Sequence, residues 1–281
     1  SLRQIMSLYL TSLNSRSNGN CYYAGNNTDA VLIDVGISCR ETEKRMKKLG
    51  LDIKIVKAIF VSHEHGDHIK GVSSLANKYN IPVYITAKTA LNGPRLIRHL
   101  SKTFEHKKPV AVGSLLITAF SKQHDAADPH SFIISCTGVT IGVITDIGEV
   151  CKEVTHHFKQ CNAVFLEANY DVAMLENGKY PVYLKNRICG GKGHISNDEA
   201  LGLFINHRSP HLTHLLLSHL SKENNSPELV LDLFKPHANG TEIIIAPRYE
   251  QTPVYHIQTF KAGLKKTAMV FLEPSQLNLF N

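Results

Sequence analysis

The sequence predicts an α/β (α+β) protein: a four-layer αββα sandwich, with two mixed β-sheets packed face to face between outer helices. Three observations predict this architecture. Each half of the chain opens with short strand-like runs between polar turns, each continues with alternating strands and helices, and the plan occurs twice. No low-complexity tract or linker separates the halves, so we expect residues 1–281 to form a single domain.

The first half begins with apolar strand patterns separated by Asn, Ser and Gly turns. These strands are expected at 6–13, 21–25 and 30–36. A helix follows, because Ser38 is a favoured N-cap residue and Gly50 a favoured terminator. The remaining elements of this half are a strand at 58–62, a helix at 69–79, a strand at 82–85 and a helix near 94–102.

The second half repeats this plan. Strands are expected at 114–121, 131–137 and 140–146, before a helix around 147–158. An apolar strand at 162–169 contains a carboxylate near its end, and the chain from there to GGKGHISN is predicted to be loop-rich. The last elements are a helix at 197–207, a strand at 214–219, a helix at 226–234, a strand at 242–246 and tail strands at 254–260 and 268–272.

Composition narrows the class of protein. A hydrophobic fraction of 43% with 20% charged residues is typical of a globular protein with a sizeable core. No apolar run reaches the ~20 residues of a membrane span, and the first residues lack the long apolar segment of a signal peptide. The six Cys are scattered without paired spacing, which predicts reduced thiols and a cytoplasmic protein. A formal net charge of +7 favours acidic partners, nucleic acid among them.

The densest chemistry lies in the run SHEHGDHIKG (62–71), between a predicted strand and a predicted helix. This run holds four metal-competent side chains, His63, His65, Asp67 and His68. A loop from a strand end to a helix start is where α/β enzymes place their sites. His63 and His65 can chelate one ion while Asp67 and His68 reach a second position, so the run predicts a two-metal site. A His-rich surface loop is the alternative, and the strand context argues against it.

A two-metal site needs more ligands than this run supplies, since each ion takes several protein ligands plus water. Four residues at or after strand ends are candidates, namely Asp34, His124, Asp146 and His219. A carboxylate or imidazole at the edge of a buried apolar strand costs free energy without a charged or metal partner. Each one alone fits an ordinary hydrogen bond, but together they supply what the motif requires.

Two further residues have the chemistry of proton transfer. Glu167 lies at the end of the strand NAVFLEAN, and His194 lies in the Gly-flanked segment GGKGHIS. A carboxylate paired with an imidazole near a metal centre can protonate a leaving group. The structural alternatives fit the sequence equally well. Glu167 would then be a carboxylate that caps a loop, and His194 a histidine in a turn.

These residues, in this order along the chain, resemble the metallo-β-lactamase superfamily of di-metal hydrolases. Glu167 in FLEAN, His194 in GHIS and the segment LLLSHLS are similar to the matching segments of tRNase Z-type nucleases. The resemblance is greatest to the YycJ/WalJ-type exonuclease branch, through SLNSRSNGNC, SHEHGDHIKG, EANYD, YPVYLKNRI and LSHLSKENNSPEL. It implies a metallo-β-lactamase fold over nearly the whole chain.

The resemblance also implies two divalent ions per chain, Zn or Mn, with Fe compatible as well. It implies that Asp34 orients a motif histidine. Asp67, Glu167 and His194 would carry the catalysis, with a metal-bridging hydroxide as nucleophile and the Glu167–His194 pair as general acid. The implied ligands are His63, His65 and His124 for the first ion, Asp67, His68 and His219 for the second, and Asp146 as the bridge.

The function that the resemblance implies is phosphodiester hydrolysis by a 5′-to-3′ exonuclease acting on DNA. One alternative is a small-molecule phosphodiesterase or thioester hydrolase with the same site, because a fold does not fix a function. The other is a non-catalytic regulatory protein that binds metal or nucleic acid. A dedicated Glu167–His194 acid favours the phosphodiesterase, since lactams and thioesters have better leaving groups.

Candidate substrate contacts lie in three segments around these motifs. The polar turn SLNSRSNGN is expected to offer groups to a phosphate, a cationic segment precedes His194, and LSKENN follows His219. A simple hairpin connection and solvated surface charge are the alternatives. The candidates are Ser17, Asn18, Asn20, Lys185, Arg187, Ser221 and Asn224.

Overall fold

Two seven-stranded β-sheets form the centre of the molecule. The computed structural model describes residues 7–16, 18–93 and 98–258. In spatial order the first sheet contains β14 (Tyr255–Ile257), β1 (Leu8–Arg16), β2 (Gly19–Gly25), β3 (Ala30–Ile33), β4 (Val56–Phe60), β5 (Val83–Tyr84) and β6 (Ser101–Lys102).

The second sheet has the same plan of pairing as the first. In spatial order the second sheet contains β13 (Glu242–Ile245), β12 (His214–Ser218), β11 (Ala163–Glu167), β10 (Val139–Ile144), β9 (His130–Cys136), β8 (Leu115–Ser121) and β7 (Val110–Val112). In each sheet the first three pairings along the chain order β1–β4 and β7–β10 are mostly antiparallel and the following ones parallel, and the last strand of the first sheet returns to pair antiparallel with β1. Both sheets are therefore mixed, as the sequence predicts.

Helices cover the outer faces of both sheets, and side-chain caps fix where several of them begin. Ser38 accepts a hydrogen bond from the Glu41 amide, and Ser196 and Glu199 form a reciprocal capping box. No helix within the described part of the chain is long and apolar enough to cross a membrane. The helices are α1 (Cys39–Lys48), α2 (Gly66–Ile69), α3 (Val72–Tyr79), α4 (Ala87–Asn92), α5 (Lys152–Phe158), α6 (Val172–Asn177), α7 (Val182–Cys189), α8 (Asn197–His207) and α9 (Pro227–Phe234).

The hydrophobic core has three layers of contact, which confirm the four-layer αββα arrangement. Between the sheets, the ring of Tyr22 packs on Phe165 with centroids 4.8 Å apart. Outside the first sheet, Met46 and Leu75 bring α1 and α3 into a second buried cluster. Outside the second sheet, the third cluster contains apolar side chains of α5, α8 and α9, among them Phe204. Burial of these apolar surfaces is the main free-energy gain of folding.

Several predicted elements differ from the structure. The segment expected to be loop-rich contains α6 and α7, because Asp171 caps α6 by accepting from the Met174 amide and Pro181 precedes α7. The described part of the helix expected near 94–102 is instead a 3₁₀ turn followed by β6. The helix expected from 147 begins only at Lys152. The tail strand expected at 268–272 lies outside the described residues.

Candidate metal centre

The candidate site residues come together at the carboxyl ends of strands from both sheets. Asp34 and His63 follow β3 and β4 of the first sheet, and His124 follows β8 of the second. Asp146 and His219 stand just beyond β10 and β12. Ligand sites in α/β sheets form at this edge.

Three histidines form the first ligand cluster. One ring nitrogen from each of His63, His65 and His124 lies within 4.8 Å of the others. His63 Nε2 and His65 Nδ1 are 3.1 Å apart. Three imidazole nitrogens converging on one point can hold a divalent transition metal ion.

The second nitrogen of each of these rings is held by the protein. Ser62 Oγ lies 2.8 Å from His63 Nδ1, and the Asp125 carbonyl oxygen accepts from His65 Nε2 at 3.2 Å. The Gly193 carbonyl oxygen accepts from His124 Nδ1 at 2.9 Å. Such contacts fix the tautomer and orient the ring, so the nitrogen that faces the cluster is left with its lone pair.

Two carboxylates and two further histidines form the second cluster. His68 Nε2 lies 3.5 Å from an oxygen of Asp67 and 3.5 Å from Asp146 Oδ2. His219 Nδ1 lies 3.5 Å from Asp146 Oδ1. His68 and Asp146 also form a compact group with His63 of the first cluster. Asp146 therefore stands between the two clusters.

Asp34 supports the second cluster by hydrogen bonds to His68 and to Ser62. Its Oδ2 accepts from His68 Nδ1 at 2.7 Å and from the Ser62 hydroxyl at 2.7 Å, and its Oδ1 accepts from the Ser62 amide at 2.8 Å. His68 thus donates from Nδ1 and presents Nε2 to the cluster. The role that the resemblance implies for Asp34, to orient a motif histidine, stays a prediction, and this contact is the one on which it depends.

Glu167 joins the two proton-transfer candidates to the second cluster. Its Oε1 accepts from His194 Nδ1 and from His219 Nδ1, each at 2.8 Å, and its Oε2 accepts from the Ile147 amide at 2.8 Å. The carboxylate is fully buried, whereas the His194 side chain is 22% exposed. Glu167 therefore holds His194 through Nδ1, while part of the His194 side chain is open to solvent.

The site contains polar atoms that protein contacts leave unsatisfied. Among the described residues, His124 Nε2, His219 Nε2 and Asp146 Oδ2 are buried without a hydrogen-bond partner. Leaving such atoms unpaired costs about 1–3 kcal/mol each. All three belong to residues of the clusters, and nitrogen and carboxylate oxygen donors are what Zn²⁺ and Mn²⁺ bind. The residues present therefore fit bound divalent cations.

The pKa values of the buried groups follow their surroundings. Against the effect of burial, Asp146 and Asp34 raise the pKa of His68 well above its ordinary range. Likewise Asp146 and Glu167 raise the pKa of His219 to about 9, and the His194 and His219 rings lower that of Glu167 to about 2. Burial lowers the pKa of His63 strongly. The carboxylates of the second cluster thus favour positive charge beside them, whereas the first cluster has imidazoles alone.

Backbone conformation places three of these residues. Asp34, Asp146 and His219 have φ values of 59°, 53° and 59°, in the left-handed region that side chains other than Gly seldom adopt. Each lies one or two residues beyond a strand end, so the chain turns sharply there and aims the side chain at the clusters. Strained conformations of this kind are concentrated at functional sites. Gly36 allows a close approach as well, because a Cβ at that position would overlap the Asp67 carbonyl group.

The residues predicted to contact substrate differ in their burial and in their hydrogen-bond partners. Asn18 is exposed, whereas Asn20 and Asn224 are buried. Lys185 Nζ donates to the Glu176 carbonyl oxygen, and Arg187 pairs with Asp125 at 2.6 Å. Ser221 Oγ accepts from the Asn224 amide, and Ser17 lies outside the described residues. Their roles toward a substrate stay predictions.

Sequence reasoning missed three residues that contribute to the site. Ser62 connects Asp34 to the histidine cluster, and its position directly before His63 is a signal that was available. Asp125 acts through its carbonyl oxygen, which no side-chain pattern reveals. Lys122 is buried at the end of β8 and donates to the Thr145 carbonyl oxygen at 2.7 Å. The signal in the sequence was a lone Lys two positions before His124, directly after an apolar strand.

The class of protein follows from this fold and this donor set. A family model described as the metallo-beta-lactamase superfamily matches residues 15–133. The chain belongs to this superfamily, and it is a metal-dependent hydrolase.

Individual relatives show which members of the superfamily the chain is similar to. The chain is 36% identical over 228 residues to an exodeoxyribonuclease YycJ of Bacillus anthracis, covering 80% of this chain and 86% of the relative. It is 31% identical to an exodeoxyribonuclease WalJ of Streptococcus pneumoniae, covering 77% and 83% of the two chains. The crystal structure of the metallo-beta-lactamase fold protein YhfI from Bacillus subtilis superposes with a TM-score of 0.69. That match has 16% identity, covers 89% of this chain and 99% of the other, and shows the fold.

Proposed function

We propose that this protein hydrolyses phosphodiester bonds of nucleic acid, as a 5′-to-3′ exonuclease acting on DNA. The observation that carries the proposal is the Glu167–His194 pair at 2.8 Å beside the histidine and carboxylate clusters. Hydrolysis of an unactivated phosphodiester needs a proton for its poor leaving group, and this pair can supply one. The relatives named exodeoxyribonucleases support DNA as the substrate.

We assign the ligands of two divalent ions, Zn or Mn, by the clusters and by their unsatisfied atoms. The nitrogens of one cluster would hold the first ion, the carboxylates and histidines of the other would hold the second, and Asp146 would serve both. When bound, the two ions supply a water-derived nucleophile at neutral pH and neutralise charge on the scissile phosphate. The ligands are His63, His65 and His124, then Asp67, His68 and His219, and the shared Asp146.

The chain's own residues prepare this centre before substrate arrives. Asp34 holds the His68 ring through Nδ1, which keeps Nε2 directed into the second cluster. Glu167 does the same for His219. Fixed donors of this kind reduce the reorganisation that the reaction requires.

His194 is the proposed general acid. Its Nδ1 is engaged by Glu167, so the proton on Nε2 is the one available to the departing sugar oxygen. Its ring centroid lies 5.4 Å from that of His124 and 5.0 Å from that of His219, which places it at the mouth of both clusters. Against the effect of burial, the His194 and His219 rings hold the pKa of Glu167 at about 2, so the carboxylate beside His194 is ionised at neutral pH.

Exposed groups at the rim would contact the nucleic acid backbone. Asn18 at the β1–β2 turn is exposed, and the net charge of +7 favours a polyanion. Arg187 is 62% exposed although it pairs with Asp125, so its remaining donors face solvent. Contacts of this kind hold the strand without selecting its sequence.

A nuclease assay with end-labelled DNA tests the proposal. With Mn²⁺ or Zn²⁺, the wild type should shorten single-stranded or duplex DNA from its 5′ end, releasing a 5′ label before a 3′ label. Asp67→Ala should be inactive, whereas Asp232→Ala, an exposed carboxylate on α9, should retain full activity. Cleavage of RNA alone would refute DNA as substrate. Hydrolysis of only cyclic or aryl phosphodiesters would refute the nuclease.

A further inference from the structure

Asn20 touches the second cluster although its side chain is completely buried in the β1–β2 hairpin. Its Nδ2 lies 3.2 Å from Asp67 Oδ2 and 3.0 Å from His68 Nε2. Both of these atoms belong to residues assigned above to the second ion. Asp67 keeps further carboxylate lone pairs for an ion beside this contact, whereas His68 Nε2 has one lone pair and would exchange the Asn20 contact for the ion. The buried amide has no surface left for a solvent-borne partner.

The orientation of the Asn20 amide is fixed by its neighbours. The Oδ1 atom accepts from the Arg16 amide at 3.1 Å and from the Tyr22 hydroxyl at 3.2 Å. The Arg16 backbone amide can only donate, so the side-chain atom of Asn20 beside it must be the acceptor oxygen. The amide oxygen must therefore face Arg16 and the NH₂ group must face Asp67.

The Asn20 contact is the end of a chain of hydrogen bonds that crosses between the two sheets. The His219 backbone amide donates to Ser15 Oγ at 2.9 Å. Ser15 Oγ lies 3.0 Å from the Tyr22 hydroxyl, which donates onward to Asn20 Oδ1. Because the Tyr22 proton is used toward Asn20, the Ser15 hydroxyl donates to Tyr22. Every link then runs in one direction, which strengthens the chain cooperatively.

We infer that Asn20, held by Tyr22 and Ser15, is a positioning residue for the second metal ion. The chain connects His219 of the second sheet to Asp67 of the first, so ligands from both sheets share one buried support. The inference rests on the proposed two-ion centre and extends it. It also gives Asn20, which the sequence predicts as a substrate contact, the role of positioning a metal ligand.

Metal titration of variants tests this inference without an activity assay. Asn20→Leu keeps the buried volume and removes the amide, and we expect the second ion to bind about 10–100-fold more weakly. The first ion should bind as in the wild type, because its histidines do not touch Asn20. Tyr22→Phe should weaken the second ion as well, since the amide loses a partner that fixes its orientation. Tyr23→Phe, equally buried on the same strand, is the matched control and should change neither ion.

A double-mutant cycle separates positioning from general damage to the fold. If Tyr22 acts through Asn20, the Asn20→Leu/Tyr22→Phe pair should bind the second ion as weakly as Asn20→Leu alone. Stoichiometry is measured by native mass spectrometry and affinity by competition with a chelator. Equal or tighter binding of the second ion by Asn20→Leu would overturn the inference while the two-ion centre stood. A wild type that takes up one ion only would refute the centre itself, and the inference with it.

Discussion

The Nδ1 atom of His219 and the Oε1 atom of Glu167 are 2.8 Å apart, and this contact joins the ends of two neighbouring parallel strands. The same oxygen also accepts from His194. One carboxylate therefore orients both a proposed metal ligand and the proposed general acid. A single substitution at Glu167 should impair both functions.

Glu167→Gln tests this double role. Glutamine has one acceptor oxygen where the structure uses two oxygens for three donors, so at least one of His194, His219 and the Ile147 amide must lose its partner. We expect DNA cleavage to fall by roughly 100-fold or more, together with weaker binding of the second ion. End-labelled DNA and metal content are the two measurements. Glu199→Gln, in the capping box of α8, is the control, and a wild-type rate for Glu167→Gln would contradict the assignment.

His194→Ala should separate substrates by their leaving groups. Loss of a general acid slows the expulsion of an alkoxide by about 10²–10⁴-fold but matters little for a nitrophenolate, which leaves without protonation. Rates on DNA and on bis(p-nitrophenyl) phosphate are compared for wild type and variant. The exposed His211 provides the control, since His211→Ala should leave both rates unchanged. Equal losses on the two substrates would argue against the general-acid role.

Removal of metal should lower thermal stability. The unsatisfied atoms of His124, His219 and Asp146 regain partners when ions bind, and binding to the folded state alone stabilises it. With each ion at about 100 times its dissociation constant, the gain of about 2.7 kcal/mol per ion corresponds to roughly 5 °C per ion in melting temperature. Differential scanning calorimetry with Zn²⁺ and with EDTA measures it. A His124→Ala/His219→Ala variant should melt at one temperature in both buffers, and a wild type insensitive to EDTA would contradict the site.

His157 should make stability depend on pH away from the metal centre. Burial, followed by the neighbouring His156, lowers the pKa of His157 to about 4 from its ordinary value of 6.5. Between pH 6.5 and 4, His157 therefore binds a proton in the unfolded chain but not in the folded chain. The stability present above pH 6.5 is lost as the pH falls toward 4. The loss is on the order of 2–3 kcal/mol.

Urea unfolding of the metal-free protein between pH 4 and 6.5 measures this loss. His157→Phe keeps the stacking on Phe120, whose ring centroid is 4.2 Å away, and should reduce the pH dependence. The exposed His156 is the matched position, and His156→Gln should keep most of the dependence because burial is the larger cause. If both variants retain the full slope, other groups are responsible.

Arg45 should matter for stability rather than for catalysis. Its guanidinium donates to the Leu13 carbonyl oxygen at 2.6 Å, to Asn14 Oδ1 at 2.7 Å and to the Tyr249 carbonyl oxygen at 3.1 Å. Arg45→Met leaves these acceptors without a donor and should lower the free energy of unfolding by about 3 kcal/mol. Arg40→Met, on the exposed side of the same helix, should change it little. Chemical denaturation gives both values.

The sheets and the donor set could be predicted because they depend on local patterns. Period-two apolar runs and turn residues indicate strands, and ligand-type residues at the strand ends stand out in the sequence. For this reason Asp34, His124, Asp146 and His219 were expected near the motif, and the structure brings them together. The fold class follows from the same repeated plan.

Other features depend on tertiary contacts that a single sequence does not display. The Asn20 turn resembles a surface loop in its composition, yet the side chain is buried by the approach of α2. The carbonyl oxygens of Asp125 and Gly193 act through the backbone, whose direction the side-chain pattern does not specify. Helices α6 and α7 have six and eight residues, and the local signals for them were Asp171 before α6 and Pro181 before α7.

The division of the ligands between the sheets has a consequence for how the protein reaches its native state. His63, His65, Asp67 and His68 belong to the first sheet and its loops, whereas His124, Asp146 and His219 belong to the second. Neither sheet alone offers a full set of donors to either proposed ion. Tight metal uptake can begin only after the two sheets have docked, so the appearance of a cobalt absorption band during refolding would time that docking step.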